Sequence, residues 1–474
     1  MQRLRSVTRL WILWTCTGIA AACIADETAL DRYVAQPDPT YSWKLAHQTV
    51  VEDTTHYVID LTSQTWRTDK EVNRPVWKHA LIIIKPKSLS SNKAFLFIVG
   101  GGNDGELPKS ADAKAISIAR ATGSVVAELR MVPNQPLIFH QDRMPRKEDD
   151  IIGYTWDQFL KTGDETWPAR LPMVKSAVRA MDTVQAFLKT PEGGGTAIDG
   201  FVVAGGSKRG WTTWCTAAVD KRVVAAVPIV IDVLNVRKSM AHHAEVYGFY
   251  ANAVGDYMKH NIMQRVNHEK LPALYAIEDP FSYRDRFTMP KFVVNAAGDQ
   301  FFCPDSSQFY YDDLPGEKYL RYVPNGDHSL KDTDALESIT AFYSTILRGV
   351  ERPKYSWKFL EDGTIRVESI TRPKNVLVWQ AHNPKARDFR VDTIGRSYTS
   401  APVNEIETGI YVAKVDPPQE GWKAFFVELE FDVGATTPLK LSTAVRITPE
   451  TRPFQGIDPA KAPYEPFKAI RPKT

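Results

Sequence analysis

Cysteine is scarce: the 474-residue chain has four, and two of them, Cys16 and Cys23, lie near the N-terminus. That leaves Cys215 and Cys303, too few for a disulfide-stapled scaffold; they either form one bridge or stay as buried thiols. Charge of one sign is also lacking. The formal net charge is +3, and it falls to 0 without residues 1–25, which hold Arg3, Arg5 and Arg9 and no acid. No basic stripe is left to suit a nucleic acid. Phosphate-loop and dinucleotide-binding glycine patterns are missing. So is H-E-x-x-H, and His242 and His243, being adjacent, leave a helix in different directions and do not suit one metal ion. The expectation is a chain that needs no metal and no cofactor.

Long apolar runs are absent too. The longest candidate follows Arg9 as Leu10-Trp11-Ile12-Leu13-Trp14 and runs to the small residues Ala20-Ala21-Ala22 and Ala25. This predicts a signal peptide over 1–25, cut after Ala22 or Ala25, and hence a secreted, periplasmic or cell-envelope protein. A membrane anchor needs about 20 apolar residues; this run is shorter and ends at Asp26-Glu27. Cys23 is a possible lipidation site, although Ala20 stands where a bulkier aliphatic residue is usual. The mature chain is expected to have no transmembrane helix, and its oligomeric state is left open.

What the chain does have is a series of short, continuous apolar runs. Trp77–Lys85, Ala94–Val99, Ser124–Leu129, Phe201–Ala204, Val223–Val230, Lys291–Ala296 and Tyr319–Val323 read as strands covered on both faces. Tyr57–Leu61 reads as an entry strand. Helical periodicity falls between them, at 111–121, 173–190 and 335–349. Strands alternating with helices predict a mostly parallel sheet with helices on both faces, filling residues 26–350. The alternation is interrupted over about 232–290 by a segment rich in aromatics and histidine, expected to be a helical cap over the carboxyl ends of the strands. From 351 to 450 the runs shorten and alternate, with turn signals such as Asp362-Gly363 and Asn383-Pro384, as in an all-β sandwich. Residues 451–474 are proline-rich and expected to lie extended on the surface.

The stretch AIDGFVVAGGSKRGWTTW, 197–214, carries the chemistry. A buried strand stops at Gly205-Gly206, a serine sits at the tip of the turn, and a helix follows. This order is that of a nucleophile elbow, which forces the serine into a strained conformation with its hydroxyl above the sheet. The usual G-x-S-x-G is not met: Arg209 takes the last position and the glycine comes at Gly210. A serine nucleophile needs a histidine base, held by an acid, from the ends of later strands. Asp299, after the strand 291–296, and His328, after the strand 319–323, stand in that order. Asp232 is a rival acid. The oxyanion needs two backbone donors. Lys208 N–H is one candidate; the loop Val99-Gly100-Gly101-Gly102-Asn103 offers Gly102 and Asn103, unless its glycines make only a flexible turn. Asn134 and Gln135, with the cap, are expected to line the substrate pocket.

Several stretches together resemble the PhoPQ-activated pathogenicity-related proteins, a family that includes autocrine proliferation repressor-like proteins. They are VPNQPL at 132–137, GSKRGWTTW at 206–214, MPK at 289–291, GDQFF at 298–302, PDSS at 304–307 and VPNGDH at 323–328. The resemblance runs from about Tyr33 to about Arg446. It implies an α/β-hydrolase fold with an appended β domain, a secreted or envelope location, and a family-specific Ser-Lys-Arg-Gly form of the elbow. By motif it carries over Ser207, Asp299 and His328. Gly206 stands where the family leads one to expect alanine, and Gln300 where glutamate is expected. Two readings follow: a serine hydrolase acting on a peptide or small ester, with peptide slightly favoured, or a secreted binding or signalling protein that keeps the fold without turnover.

Overall fold

A computed structural model describes residues 27–465; the expected signal peptide and Cys23 lie outside them. The chain begins with a short helix, α1 (Ala29–Ala35), and a long antiparallel meander: β1 (Ser42–Val51), β2 (Thr54–Thr65) and β3 (Val76–Pro86). Strand β4 (Lys93–Ile98), helix α2 (Ala113–Thr122) and β5 (Val125–Leu129) follow, then a two-residue hairpin, β6 (Leu137–Ile138) with β7 (Pro145–Arg146). Helices α3 (Asp149–Thr162) and α4 (Arg170–Lys189) lead to β8 (Gly200–Gly206), α5 (Lys208–Val219) and β9 (Val223–Ile229).

These strands join β10 (Lys291–Ala296) and β11 (Lys318–Val323) in one nine-stranded sheet of order β1-β2-β3-β5-β4-β8-β9-β10-β11. Strands β5, β4, β8, β9, β10 and β11 run parallel. That is the strand order of an α/β-hydrolase with an added hairpin strand at its antiparallel edge. Alternation along each strand splits the core in two. Leu81, Ile83, Leu96 and Val203 pack under α4 and α5, while Ile84, Phe95, Val202 and Ala204 face α2 and α9 (Ala335–Arg348).

Between β9 and β10 the chain forms the cap: α6 (Val236–Tyr247), α7 (Gly255–Lys259), α8 (Leu271–Glu278) and short 3-10 turns. Beyond α9 two antiparallel sheets share one core. The first is β12 (Tyr355–Phe359), β13 (Thr364–Ser369), β17 (Ile410–Lys414) and β16 (Glu405–Glu407). The second is β15 (Thr399–Pro402), β14 (Asn375–Asn383), β18 (Trp422–Phe431) and β19 (Leu439–Ser442), with β20 (Arg446–Thr448) also on β18. This unit covers the open edge of the large sheet: the Tyr322 N–H of β11 donates to Ser442 Oγ at 2.8 Å, so an edge that invites strand addition is closed.

Residues 451–465 are not a loose tail. They strap the cap, through Phe454 N–H to Glu245 O (2.9 Å), Tyr250 N–H to Pro463 O (2.8 Å) and Glu465 N–H to Tyr250 O (2.9 Å). Among the described residues no helix is long and apolar enough to cross a membrane.

Candidate active site

Ser207 occupies the turn between β8 and α5 with φ 57° and ψ −128°, a region costly for a side-chain-bearing residue. The turn closes because its neighbours are bare. A Cβ on Gly205 would come within 2.6 Å of the Arg209 carbonyl oxygen, and one on Gly210 within 2.8 Å of Gly205 O and 2.9 Å of Ile229 O. A Cβ on Gly206 would meet only Val230, at 4.0 Å. The glycine missing at 209 is therefore replaced sterically by Gly210, and Gly206 has room for the alanine expected there.

Lys208, which lines the cavity beside Ser207, and Arg209 are both anchored. Arg209 donates to Val132 O (2.6 Å) and Glu148 (2.6 Å); the Lys208 ammonium meets Glu148 (2.8 Å) and Asp149 (3.1 Å). Burial opposes the Glu148 carboxylate, but Arg209 and Lys208 outweigh it and hold its pKa at about 2. Below the turn, fully buried Arg170 binds Glu278 (3.1 Å), Lys208 O (2.6 Å) and Thr212 Oγ1 (3.1 Å). The backbone N–H of Lys208, the first residue of α5, has no backbone acceptor, as at any helix start, and the helix dipole favours negative charge there.

Asp299 and His328 come from loops after the adjacent parallel strands β10 and β11, whose ends Ala296 and Val323 are paired. The loops touch backbone to backbone, Gly298 N–H to Gly326 O at 3.0 Å. His328 Nδ1 lies 3.0 and 2.9 Å from the two Asp299 oxygens. With Nδ1–H facing a carboxylate, Nε2 keeps its lone pair. That Nε2 is buried and without a partner, and the ring packs on Phe301, centroids 4.2 Å apart. Phe301 and Ser207 line the same cavity. Ser207 Oγ and His328 Nε2 are not hydrogen-bonded to each other among the described residues; such bonds often tighten only when substrate is bound.

Asp232 does not bond His328 Nδ1: its two oxygens accept from the Tyr310 (2.7 Å) and Tyr322 (2.6 Å) hydroxyls. The glycine loop after β4 lies against the elbow, and a Cβ on Gly100 would come within 2.6 Å of the Arg209 guanidinium. Gly102 N–H has no backbone partner, but Asn103 does not match its expected role. Its N–H is already given to Gln135 O at 2.6 Å, and its side chain is held by Asn134 and Arg74.

Asn134 and Gln135 likewise do not line the cavity at Ser207. Both are buried. Asn134 donates to Lys78 O, and Gln135 pairs with Glu148 at 2.6 and 2.7 Å, so their polar atoms fasten the loop instead of facing a ligand. The residues that sequence reasoning missed are Glu148, which precedes α3, and Asp149 and Trp156 on it.

Cys215 and Cys303 are separate, buried, free thiols, with burial raising both pKa values. His242, Cys303 and Asp305 lie close enough together for a metal. Yet Asp305 already binds His242 (3.0 Å) and Arg387 (2.7 Å), so the group works as an ion cluster joining α6 to the β domain.

The chain is 40% identical over 456 residues to autocrine proliferation repressor protein A of Dictyostelium discoideum, covering 90% of this chain and 92% of that one. Solved structures that resemble it include acetyl xylan esterase 1 from Thermoanaerobacterium, with TM-score 0.48, 15% identity, and coverage of 67% of this chain and 92% of that one. Another is the acylaminoacyl peptidase of Pyrococcus horikoshii, with TM-score 0.41, 13% identity, and coverage of 65% and 50%. The profile described as PhoPQ-activated pathogenicity-related protein matches residues 30–390, and the chain belongs to that family.

Proposed function

We propose that the protein is a secreted or envelope serine hydrolase that cleaves an ester or amide through an acyl-enzyme on Ser207. The observation that carries this reading is His328, bound to Asp299 through Nδ1 and holding a buried, unpartnered Nε2 beside the cavity of a strained serine. Ser207 Oγ attacks the substrate carbonyl as its proton passes to His328 Nε2. The oxyanion is met by the N–H groups of Lys208 and Gly102. His328 then returns the proton to the leaving alcohol or amine, and water, deprotonated by the same nitrogen, releases the acid and restores Ser207. Asp299 holds the imidazole in the required tautomer and balances its charge. The residues at 1–25 support export.

A fluorophosphonate probe tests the reading. Labelling of the purified wild type that is lost in Ser207→Ala supports it. The competing reading, a binding protein without turnover, draws on the open Ser207–His328 contact; it requires that correctly folded wild type stay unlabelled.

A further inference from the structure

The cavity beside Ser207 is small, about 40 Å³ in volume, and partly open to solvent. A water needs roughly 10–15 Å³ on the same measure, so the space takes about three or four water-sized groups. Its walls come from five directions: Trp211 from α5, Trp156 from α3, Ile231 from the loop after β9, Phe301 from the loop after β10, and Met240, Val254 and Tyr257 from the cap.

The aromatic walls lock one another. Trp156 meets Trp211 edge-on at 6.0 Å and Tyr257 at 5.4 Å, which leaves little freedom to widen, because packed interiors do not deform continuously. The charged groups at the rim are already spent: Asp149 is paired with Lys208 at 3.1 Å and accepts from the Tyr257 hydroxyl at 3.2 Å. The cavity thus receives an apolar group and offers no charge to a polar one.

Resting on the hydrolase reading above, we infer that this cavity is the acyl pocket and that it limits the enzyme to short, uncharged acyl groups of about two to four carbons. Acyl halves that continue as a peptide backbone or a long alkyl chain are excluded by volume and by lack of polar partners. Among its apolar walls Met240 is the unbranched, flexible one, so shortening it enlarges the cavity.

The test uses p-nitrophenyl esters of methyl-, propyl- and octylphosphonic acid. These phosphonylate Ser207 with loss of p-nitrophenol and need no deacylation. Labelling by the methyl and propyl compounds at least tenfold faster than by the octyl one is expected. Met240→Ala, which enlarges the cavity, should raise the ratio of octyl to methyl labelling rates at least tenfold. Val254→Ala provides a second enlargement should Met240→Ala fail to fold. Wild type labelled equally fast at every chain length overturns the pocket assignment and leaves the hydrolase reading intact. Folded wild type labelled by none of the three overturns the hydrolase reading, and the pocket with it.

Discussion

Ser207 and Glu148 hold the same backbone conformation, φ 57°, ψ −128° and φ 54°, ψ −130°, and each ends a loop at the start of a helix that faces the cavity. The strain at Ser207 is held by the surrounding packing and by Ser207 N–H to Ile229 O at 2.8 Å. Strain of this kind costs about 1–3 kcal/mol, and glycine escapes it at an entropic cost of about 0.5–1 kcal/mol. Ser207→Gly should therefore be more stable than Ser207→Ala by about 1 kcal/mol, measured by urea denaturation, with both variants inactive. Equal midpoints would mean that the turn stores no strain.

Glu148 anchors the two cations that follow the serine. Glu148→Gln keeps the shape and removes the charge; discounted for its partial exposure, the loss should be about 1 kcal/mol at neutral pH. The sign with pH follows from its depressed pKa of about 2. The stabilisation is fully present above the ordinary carboxylate pKa and is lost as pH falls through the folded value. In calorimetric scans the Tm gap between wild type and Glu148→Gln should be widest at about pH 6–7 and close as the pH approaches about 2. A gap that is constant with pH would assign the anchoring to shape alone.

The glycines around the elbow are not equivalent. Gly206→Ala should change stability by less than about 0.5 kcal/mol, since the added methyl meets only Val230 at 4.0 Å. Gly210→Ala pushes a methyl against Gly205 O and Ile229 O and should cost about 1–3 kcal/mol, with loss of labelling at Ser207.

That contrast marks what the sequence could and could not convey. Strand, turn, serine and helix were readable at 200–219, as were the strands that precede Asp299 and His328, because each is a continuous apolar run of the kind a doubly covered strand produces. The compensation at Gly210 was not readable, since it depends on where Ile229 of the neighbouring strand places its carbonyl. Asn103, Asn134 and Gln135 were assigned to the site from loop position. Their hydrogen bonds are consumed within the loop and by Glu148, partners that no spacing rule brings together. The cap was legible as an interruption; residues 451–465, expected to lie extended on the surface, tie down to the cap and β domain through backbone bonds and through the Arg452–Glu245 and Arg390–Glu465 pairs.

Asp299 and Asp232 are the two buried acids at the ends of neighbouring strands, and substitution separates their roles. Asp299→Asn should lower kcat by about 10³–10⁴, by loss of the His328 tautomer. Asp232→Asn should lower it less than about tenfold, since Asp232 meets only tyrosine hydroxyls and does not hold the base. Burial raises Asp232 to about 8 against the pull of Tyr322 and Tyr310. A raised acid makes the folded state bind the extra proton, so stability falls as pH rises from the ordinary aspartate range to about 8. Asp232→Asn, which cannot ionise, should gain Tm relative to wild type across that window and run parallel above it.

Gln300 joins the histidine loop to the β domain. Its Oε1 accepts from His328 N–H at 2.9 Å, and its Nε2 donates to Asp392 at 3.2 Å, on the helical turn α10 (Val391–Ile394) of the β domain. The same turn gives Val391 N–H to Gly298 O at 3.0 Å, and Asn325 pairs with Tyr398 at 3.0 and 2.9 Å. The loops of both Asp299 and His328 are thus braced from outside the hydrolase sheet. Gln300→Glu keeps the acceptor for His328 but sets a carboxylate against Asp392. For an exposed pair this is worth about 0.5–1 kcal/mol, a two- to fivefold fall in kcat/KM. Adding Asp392→Asn places an amide donor opposite the new carboxylate, so the double variant should recover activity, giving a coupling energy of that size. Failure of the second substitution to rescue the first would mean that the β domain touches the histidine loop without positioning it.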